Sequence, residues 1–239
     1  MSIKLGINGL GRIGKLVLRL TLAQNNIEVV HINDMMNTEL MAHLLKYDSI
    51  HGKLNASVTF DDNHIIINDK PIRVTNATQP TEIPWEETGT EFVVDSSGRF
   101  KTYSTLEGHL KHGVKKVVLS CPPDDYSIER VVVMGVNQNT ILPSDRIISN
   151  ASCTTNCVAI MLKVLLNEFG IENAFMNTIH PTTNNQNLQD GYHSDYRRAR
   201  SAINNIIPTT SSAVRSVHRI FPELKEKFTD YNSAFMESF

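Results

Sequence analysis

Cysteine is scarce in this chain: Cys121, Cys153 and Cys157 are the only three in 239 residues. So small a set excludes a disulfide framework, and the usual ligand spacings of a cysteine metal site are missing. Cys153 and Cys157 lie four residues apart, so a metal ion there would have to import its other ligands, and no metal is expected. An excess of charge of one sign is missing too. Lys and Arg number 23 against 25 Asp and Glu, the formal net charge is −2 and the sequence pI is near 6.5. Interspersed charges of that balance argue against a nucleic-acid-binding or membrane-surface protein. No apolar run approaches membrane-spanning length, and the start M-S-I-K-L-G-I-N leads into a strand rather than a secretory signal, so the expected location is the cytoplasm. Internal repeats and low-complexity linkers are absent as well. At 41% hydrophobic, the sequence can build one large core or two modest ones.

What is present begins at Ile3. The stretch I-K-L-G-I-N-G-L-G-R-I-G is a short apolar strand followed by Gly9, Gly11 and Gly14 in G-x-G-x-x-G spacing, then by a helical run from Leu16 to Leu22. That strand-turn-helix context is what a dinucleotide fingerprint needs. The first glycine makes the turn, the second lets backbone approach a pyrophosphate, and the third allows close packing of helix on strand. A second apolar strand, E-V-V-H-I-N-D, ends in Asp34 about 20 residues after the last glycine, where an acid can accept the ribose hydroxyls of an adenosine. A carboxylate there would repel a 2′-phosphate, which favours NAD over NADP.

The stretch S-N-A-S-C-T-T-N-C, residues 149 to 157, places Cys153 at the first turn of a helix that continues as V-A-I-M-L-K-V-L-L-N-E-F. A helix N-terminus stabilises a thiolate through its partial positive charge and unpaired amide groups. Ser152, Thr154 and Thr155 can cap that helix or bind an anion. Taken alone, the stretch fits a buried structural cysteine equally well. His180, expected to end an apolar strand over 174–180, could pair with a nearby thiol and shuttle a proton, but taken alone it reads rather as a satisfied strand-end histidine. The other histidines read as surface or packing residues.

Strands expected at 28–32, 92–95, 116–120 and 146–149 alternate with helices near 11–22, 38–46, 103–112 and 153–169, with a hairpin inserted at about 54–74. The order indicates an α/β chain with a doubly wound parallel sheet. The chain divides into a dinucleotide-binding domain, 1–152, and a second domain, 153–239.

These features together resemble the glyceraldehyde-3-phosphate dehydrogenase family. The residues that carry the resemblance are G-I-N-G-L-G-R-I-G from Gly6, Ile32-Asn33-Asp34, Y-D-S-I-H-G from Tyr47, D-S-S-G from Asp95, Gly135-Val136-Asn137, the Cys153 motif, His180, Ile206-Ile207-Pro208 and Pro222-Glu223-Leu224. The resemblance implies a Rossmann NAD-binding domain joined to an α+β catalytic domain. It implies NAD as cofactor, a phosphorylated aldose and inorganic phosphate as partners, and a homo-oligomer, a homotetramer in the family. The activity it implies is phosphorylating oxidation of glyceraldehyde 3-phosphate, a step of glycolysis and gluconeogenesis. Cys153 would be the nucleophile and His180 the base. Gly9, Gly11, Arg12, Ile13, Gly14, Asp34 and Ser120 would hold NAD. Ser152, Thr154, Thr183, Arg198, Ser211 and Ser212 would serve the phosphates, and the backbone from Asn150 to Cys153 would supply donors to a developing oxyanion.

The chain departs from the family pattern at several points. Thr78-Gln79-Pro80 stands where an arginine usually faces the adenine side, Asp95 and Ser97 replace Glu and Thr, Pro181 follows His180, Asn185 replaces a common Asp, and Ser211-Ser212 replace Thr-Gly. The segments Y-H-S-D-Y-R-R-A-R from Tyr192 and R-I-F-P from Arg219 are also similar to erythrose-4-phosphate dehydrogenase, which uses water as acyl acceptor. Ala234 occupies the place of a phosphate-binding arginine, and the 87 residues from Cys153 to Phe239 are too few for the family's full catalytic sheet. The resemblance therefore implies an incomplete catalytic domain and little turnover. A non-catalytic NAD-binding protein is the other reading.

Overall fold

The computed structural model describes residues 2–128 and 130–230. Along the chain these form β1 (Ile3–Asn8), α1 (Arg12–Thr21), β2 (Ile27–Asn33), α2 (Thr38–Lys46), β3 (Tyr47–Asp48), β4 (Gly52–Lys53), β5 (Val58–Phe60), β6 (His64–Ile67), β7 (Lys70–Thr75) and β8 (Phe92–Asp95). Then come α3 (Tyr103–Leu106), β9 (Lys116–Leu119), β10 (Arg130–Val131), β11 (Ile147–Ser149), α4 (Cys153–Glu168), β12 (Ala174–Met176), α5 (Ala213–Ile220) and β13 (Phe228–Asp230). Compact packing separates two units, 1–132 with 139–151, and 133–138 with 152–239.

The first unit is built on one sheet in the order β10-β11-β9-β8-β1-β2-β7-β6-β5. The strands from β10 to β7 run parallel, while β7-β6-β5 form an antiparallel extension at one edge. The expected α/β class holds, with one addition. The insert at 54–74 contributes three strands rather than a two-stranded hairpin, because His31, Ile32 and Asn33 of β2 offer a free edge that Arg73, Val74 and Thr75 of β7 fill. A helix over 103–112 is not formed as expected. α3 is a single turn capped by Thr102, and residues 107–112 continue as a 3₁₀ helix ending at Gly113 with φ +82°.

Two buried clusters stabilise the sheet. Leu5, Ile7, Leu18, Ile32, Met41, Leu45, Ile65 and Val74 form one, and Ile83, Trp85, Val93, Leu106, Val117, Leu119 and Ile147 form the other. A polar network crosses the sheet between strands. Asn8 Nδ2 donates to Asp95 Oδ2 (2.7 Å), and Trp85 Nε1 donates to His109 Nδ1 (3.1 Å). Since indole N–H can only donate, His109 carries its proton on Nε2, which faces Asp95 Oδ2 at 3.1 Å. Buried polar groups in this network are thus mutually satisfied.

His31 is buried on β2 between hydroxyls. Its Nε2 lies 3.0 Å from Thr75 Oγ1, its Nδ1 3.3 Å from Thr88 Oγ1, and its ring meets Trp85 edge-on at 4.7 Å. Burial, with Arg73 adding to it, lowers the pKa to about 4 from an ordinary value of 6.5. Between those values the unfolded chain binds a proton that the folded chain refuses, so stability falls as the pH drops from 6.5 toward 4. The loss is at most about 3 kcal/mol. Urea midpoints measured across that range should fall on acidification, and His31→Gln should flatten the slope. Equal slopes in the two proteins would assign the effect to another group.

The second unit contains α4, α5 and the two-stranded parallel pair β12-β13. α4 packs on α5, and α5 on β13, around Val158, Leu162, Val217, Leu224 and Phe228. The outer face of α4 leaves Ile160, Met161, Val164 and Leu165 exposed. The strand expected over 174–180 is shorter than its apolar run: only Ala174–Met176 is β12, paired among the described residues with Phe228–Asp230. His180 lies four residues past β12, directly after an isolated bridge at Ile179. Ala234 lies outside the described residues.

Candidate active site

Each unit carries one constellation of candidate site residues. In the first, β1 sits between β2 and β8, the point at which a doubly wound sheet opens a crevice at the carboxyl ends of its strands. Gly9 follows β1 with φ +92°, and a Cβ there would lie 2.6 Å from the Ser97 backbone of the loop after β8. A Cβ on Gly14 would lie 2.1 Å from the Gly9 carbonyl oxygen, so α1 can approach the turn only without a side chain. Gly11, the N-cap of α1, has open space around it and no side-chain cap, which leaves the first-turn N–H groups of α1 directed at that space.

Asp34 stands at the end of β2. Its Oδ2 accepts from the Leu10 amide (2.6 Å) and its Oδ1 from the Met36 amide (2.9 Å), which fixes the carboxylate beside a pocket lined by Gly9, Met35, Thr78, Arg99 and Phe100. Each oxygen retains acceptor capacity for a ribose hydroxyl. The cradle therefore fits an adenosine diphosphate on three counts: the room left by glycines, the open helix start and the placed acid. Ser120 is half-buried just after β9, and its amide donates to Asp95 O (2.9 Å). Ile13 is exposed on the first turn of α1. Arg12 is the first residue of α1. Its Nη1 pairs with Asp48 Oδ2 at 2.5 Å and, with the His51 and Ile50 amides, holds the Asp48 carboxyl well below the usual range. Met35 and Phe100 gave no signal in the sequence as pocket walls, because an apolar side chain after a strand reads equally as core.

In the second unit Cys153 opens α4. Ser152 is its N-cap, with Oγ accepting from the Thr155 amide (3.0 Å) and sharing a hydrogen bond with Thr155 Oγ1 (2.7 Å). Thr154 is half-buried in the same turn. Cys153 Sγ, exposed, lies 3.1 Å from His180 Nε2, so the structure brings these two together. Nδ1 of the same ring is 2.7 Å from Pro181 O. A carbonyl only accepts, so Nδ1 bears the proton and the Nε2 lone pair faces the sulfur, the tautomer that can take a thiol proton. Cys121 is a different thiol: burial pushes its pKa up to about 11. Among the described residues no group of three or more His, Cys, Asp or Glu could hold a metal. Two of the expected donors are taken. The Asn150 amide donates to Leu119 O (2.9 Å) and the Ala151 amide to Ser149 Oγ (3.1 Å), while the Cys153 amide is a first-turn N–H of α4.

Arg198 is anchored against the segment that leads into α5. Its Nε donates to Thr209 Oγ1 and its Nη2 to Thr210 O and Oγ1 (both 3.0 Å), while Asp195 lies 3.8 Å away. Ser211 Oγ accepts from the Ala213 amide (3.1 Å), and Ser212 is the N-cap of α5 without a side-chain cap. Thr183 is exposed and tied to its own loop: its amide and hydroxyl both donate to Gln186 Oε1 (3.0 and 2.9 Å). Thr209, Thr210 and Gln186 were not singled out from sequence, although the run P-T-T-S-S carries the hydroxyl signal.

Known proteins share this chain's sequence over most of its length. Residues 3–103 match the model of the glyceraldehyde 3-phosphate dehydrogenase NAD binding domain, and residues 152–234 that of its C-terminal domain. The glyceraldehyde-3-phosphate dehydrogenase of Priestia megaterium is 46% identical over 228 residues, 95% of this chain and 68% of that protein. The chain belongs to the glyceraldehyde-3-phosphate dehydrogenase family. Glyceraldehyde-3-phosphate dehydrogenase 1 of Bacillus cereus is 48% identical over 225 residues, 94% of this chain and 67% of that one. A chloroplastic glyceraldehyde-3-phosphate dehydrogenase of Arabidopsis thaliana is 46% identical over 229 residues, 54% of its length. The cofactor of this family member is NAD, held by the first unit. No helix among the described residues is long and apolar enough to cross a membrane.

From Asp34 it follows that this family member should bind NAD more tightly than NADP, by about 1–3 kcal/mol. Calorimetric titration with each dinucleotide measures the difference. Equal affinities would remove the carboxylate from its assigned role.

Proposed function

We propose that this family member oxidises glyceraldehyde 3-phosphate through a covalent cysteine intermediate, with inorganic phosphate as acyl acceptor. The observation that carries the reading is the 3.1 Å approach of His180 Nε2 to the Cys153 sulfur at the capped start of α4. Nε2 takes the thiol proton and the helix start stabilises the thiolate, which attacks the aldehyde carbon. The Cys153 amide donates to the oxygen on which charge develops. His180, now protonated, gives its proton to that oxygen and takes it back as the carbon is oxidised. NAD, when bound, supplies the hydride acceptor for that oxidation. Cys153 is then released from its thioester by phosphate. Arg198, placed by Thr209 and Thr210, with Ser211, Ser212 and Thr183, provides guanidinium and hydroxyl donors for the phosphate groups. Residues 1–152 act as the cofactor domain and 153–239 as the catalytic one, in a cytoplasmic homo-oligomer.

A steady-state assay of NAD reduction, with glyceraldehyde 3-phosphate or erythrose 4-phosphate and with or without inorganic phosphate, tests this. Because Cys153 and His180 meet, phosphate-dependent oxidation of glyceraldehyde 3-phosphate is expected, where the sequence pattern alone implied little turnover. Phosphate-independent oxidation of erythrose 4-phosphate would move the chain to the water-using sister activity, and no reduction with either sugar would overturn the reading.

A further inference from the structure

We infer that the backbone carbonyl of Pro181 is the group that positions His180, and that proline is what fixes it there. The inference rests on the reading of Cys153 and His180 as a nucleophile–base pair and adds its third member. Among the described residues the His180 ring makes two hydrogen bonds, Nε2 with Cys153 Sγ at 3.1 Å and Nδ1 with Pro181 O at 2.7 Å. The second is the shorter, and its acceptor has no proton to give. It therefore decides the tautomer, and by linearity it decides the ring angle at which Nε2 meets the sulfur. A base oriented by a third group is the general arrangement of activated nucleophiles, and here a main-chain oxygen stands where a carboxylate often does.

Proline suits this task for two reasons. Its ring locks its own φ, which sets where its carbonyl carbon lies relative to His180. It also restricts the residue before it to extended backbone, so His180 is held from both sides of the peptide bond. β12 ends at Met176, and Ile179 makes an isolated backbone bridge that holds the main chain just before His180, so what is left to fix is the ring itself. When the thiol proton moves to Nε2, the Nδ1–H bond becomes charge-assisted and strengthens, so the same contact that selects the tautomer also stabilises the imidazolium.

The direct test is nitrogen-15 NMR of His180 in a Cys153→Ala background at mildly alkaline pH, assigned by comparison with His180→Asn. With the sulfur gone, Pro181 O is the ring's remaining partner, and the Nδ1–H tautomer is expected to dominate. Pro181→Gly, which frees φ, should shift the ring toward Nε2–H. Converting the Pro181–Thr182 amide to an ester weakens the acceptor without altering a side chain and should act the same way. With Cys153 present, Pro181→Gly should slow its alkylation near neutral pH about tenfold, the usual effect of losing one hydrogen bond to a charged group. An Nε2–H tautomer in Cys153→Ala, or a tautomer ratio unmoved by both the glycine and the ester, would overturn the inference. If His180→Asn itself leaves Cys153 alkylation unchanged, the nucleophile–base reading fails first, and the two failures are thereby distinguished.

Discussion

Gly14→Ala is expected to abolish measurable NAD binding and to lower the stability of the first unit by several kcal/mol. The added methyl would lie 2.1 Å from the Gly9 carbonyl oxygen and 2.8 Å from Ser96 Oγ. The first of these partners is backbone and cannot rotate away. Ser96 Oγ is itself committed, donating to Gly9 O at 2.6 Å. Relief therefore requires α1 to withdraw from the β1 turn by more than an ångström. Overpacking of this kind costs about 1–3 kcal/mol or more in well-packed surroundings. Leu18 of α1, fully buried in the core, moves with the helix and adds a packing loss. The same withdrawal carries the first-turn N–H groups away from the pyrophosphate position set by Gly9 and Gly11. Thermal denaturation and calorimetry with NAD measure both effects. Binding within tenfold of the parent would show that the cradle tolerates a displaced α1.

Gly14 also shows why the nucleotide half of the molecule could be read from sequence. Its constraints are local and act on backbone: a turn with φ +92° at Gly9, a helix start without a cap at Gly11, and a contact that only hydrogen permits at Gly14. Such requirements leave glycine at fixed spacing, and spacing is visible in one dimension. The Ser152 cap of α4 is legible for the same reason, since a cap and the helix it opens are neighbours in the chain.

What escaped is what depends on partners distant in sequence. An apolar run over 174–180 reads as one strand, yet pairing is made with residues distant in sequence, and among the described residues Ala174–Met176 pairs with Phe228–Asp230. β7, with its Pro71 and two cations, lacks a strand signature, and it forms because β2 offers an edge to Arg73, Val74 and Thr75. Arg12 lies inside the fingerprint but is drawn to Asp48, 36 residues away. Thr209 and Thr210 are unremarkable hydroxyls until Arg198 is found bonded to them. His180 was located by resemblance, and neither its tautomer nor its neighbour's carbonyl is encoded by any spacing.

The pair of Cys153 and His180 makes the other large prediction. In the intact chain, limited treatment with iodoacetamide at mildly acidic pH should modify Cys153 first. Cys121 has its thiol raised to about 11 by burial and should resist. Cys157 lies one turn further along α4, exposed but past the N-terminal positions at which the helix start acts, so its rate should be that of an ordinary thiol. His180→Asn should then slow the modification of Cys153 near pH 6 by about a hundredfold and lower turnover by a similar factor, the lower end of what a positioned acid–base group contributes. Asparagine occupies similar space and still hydrogen-bonds, but it cannot accept the thiol proton. At a pH well above that of a free thiol the parent and the variant should converge, because solvent then removes the proton that His180 otherwise takes. Peptide mass mapping after timed labelling follows each cysteine separately. If Cys157 is modified as fast as Cys153, or if the His180 variant keeps the parent's rate at pH 6, the 3.1 Å contact is structural and the nucleophile must be sought elsewhere.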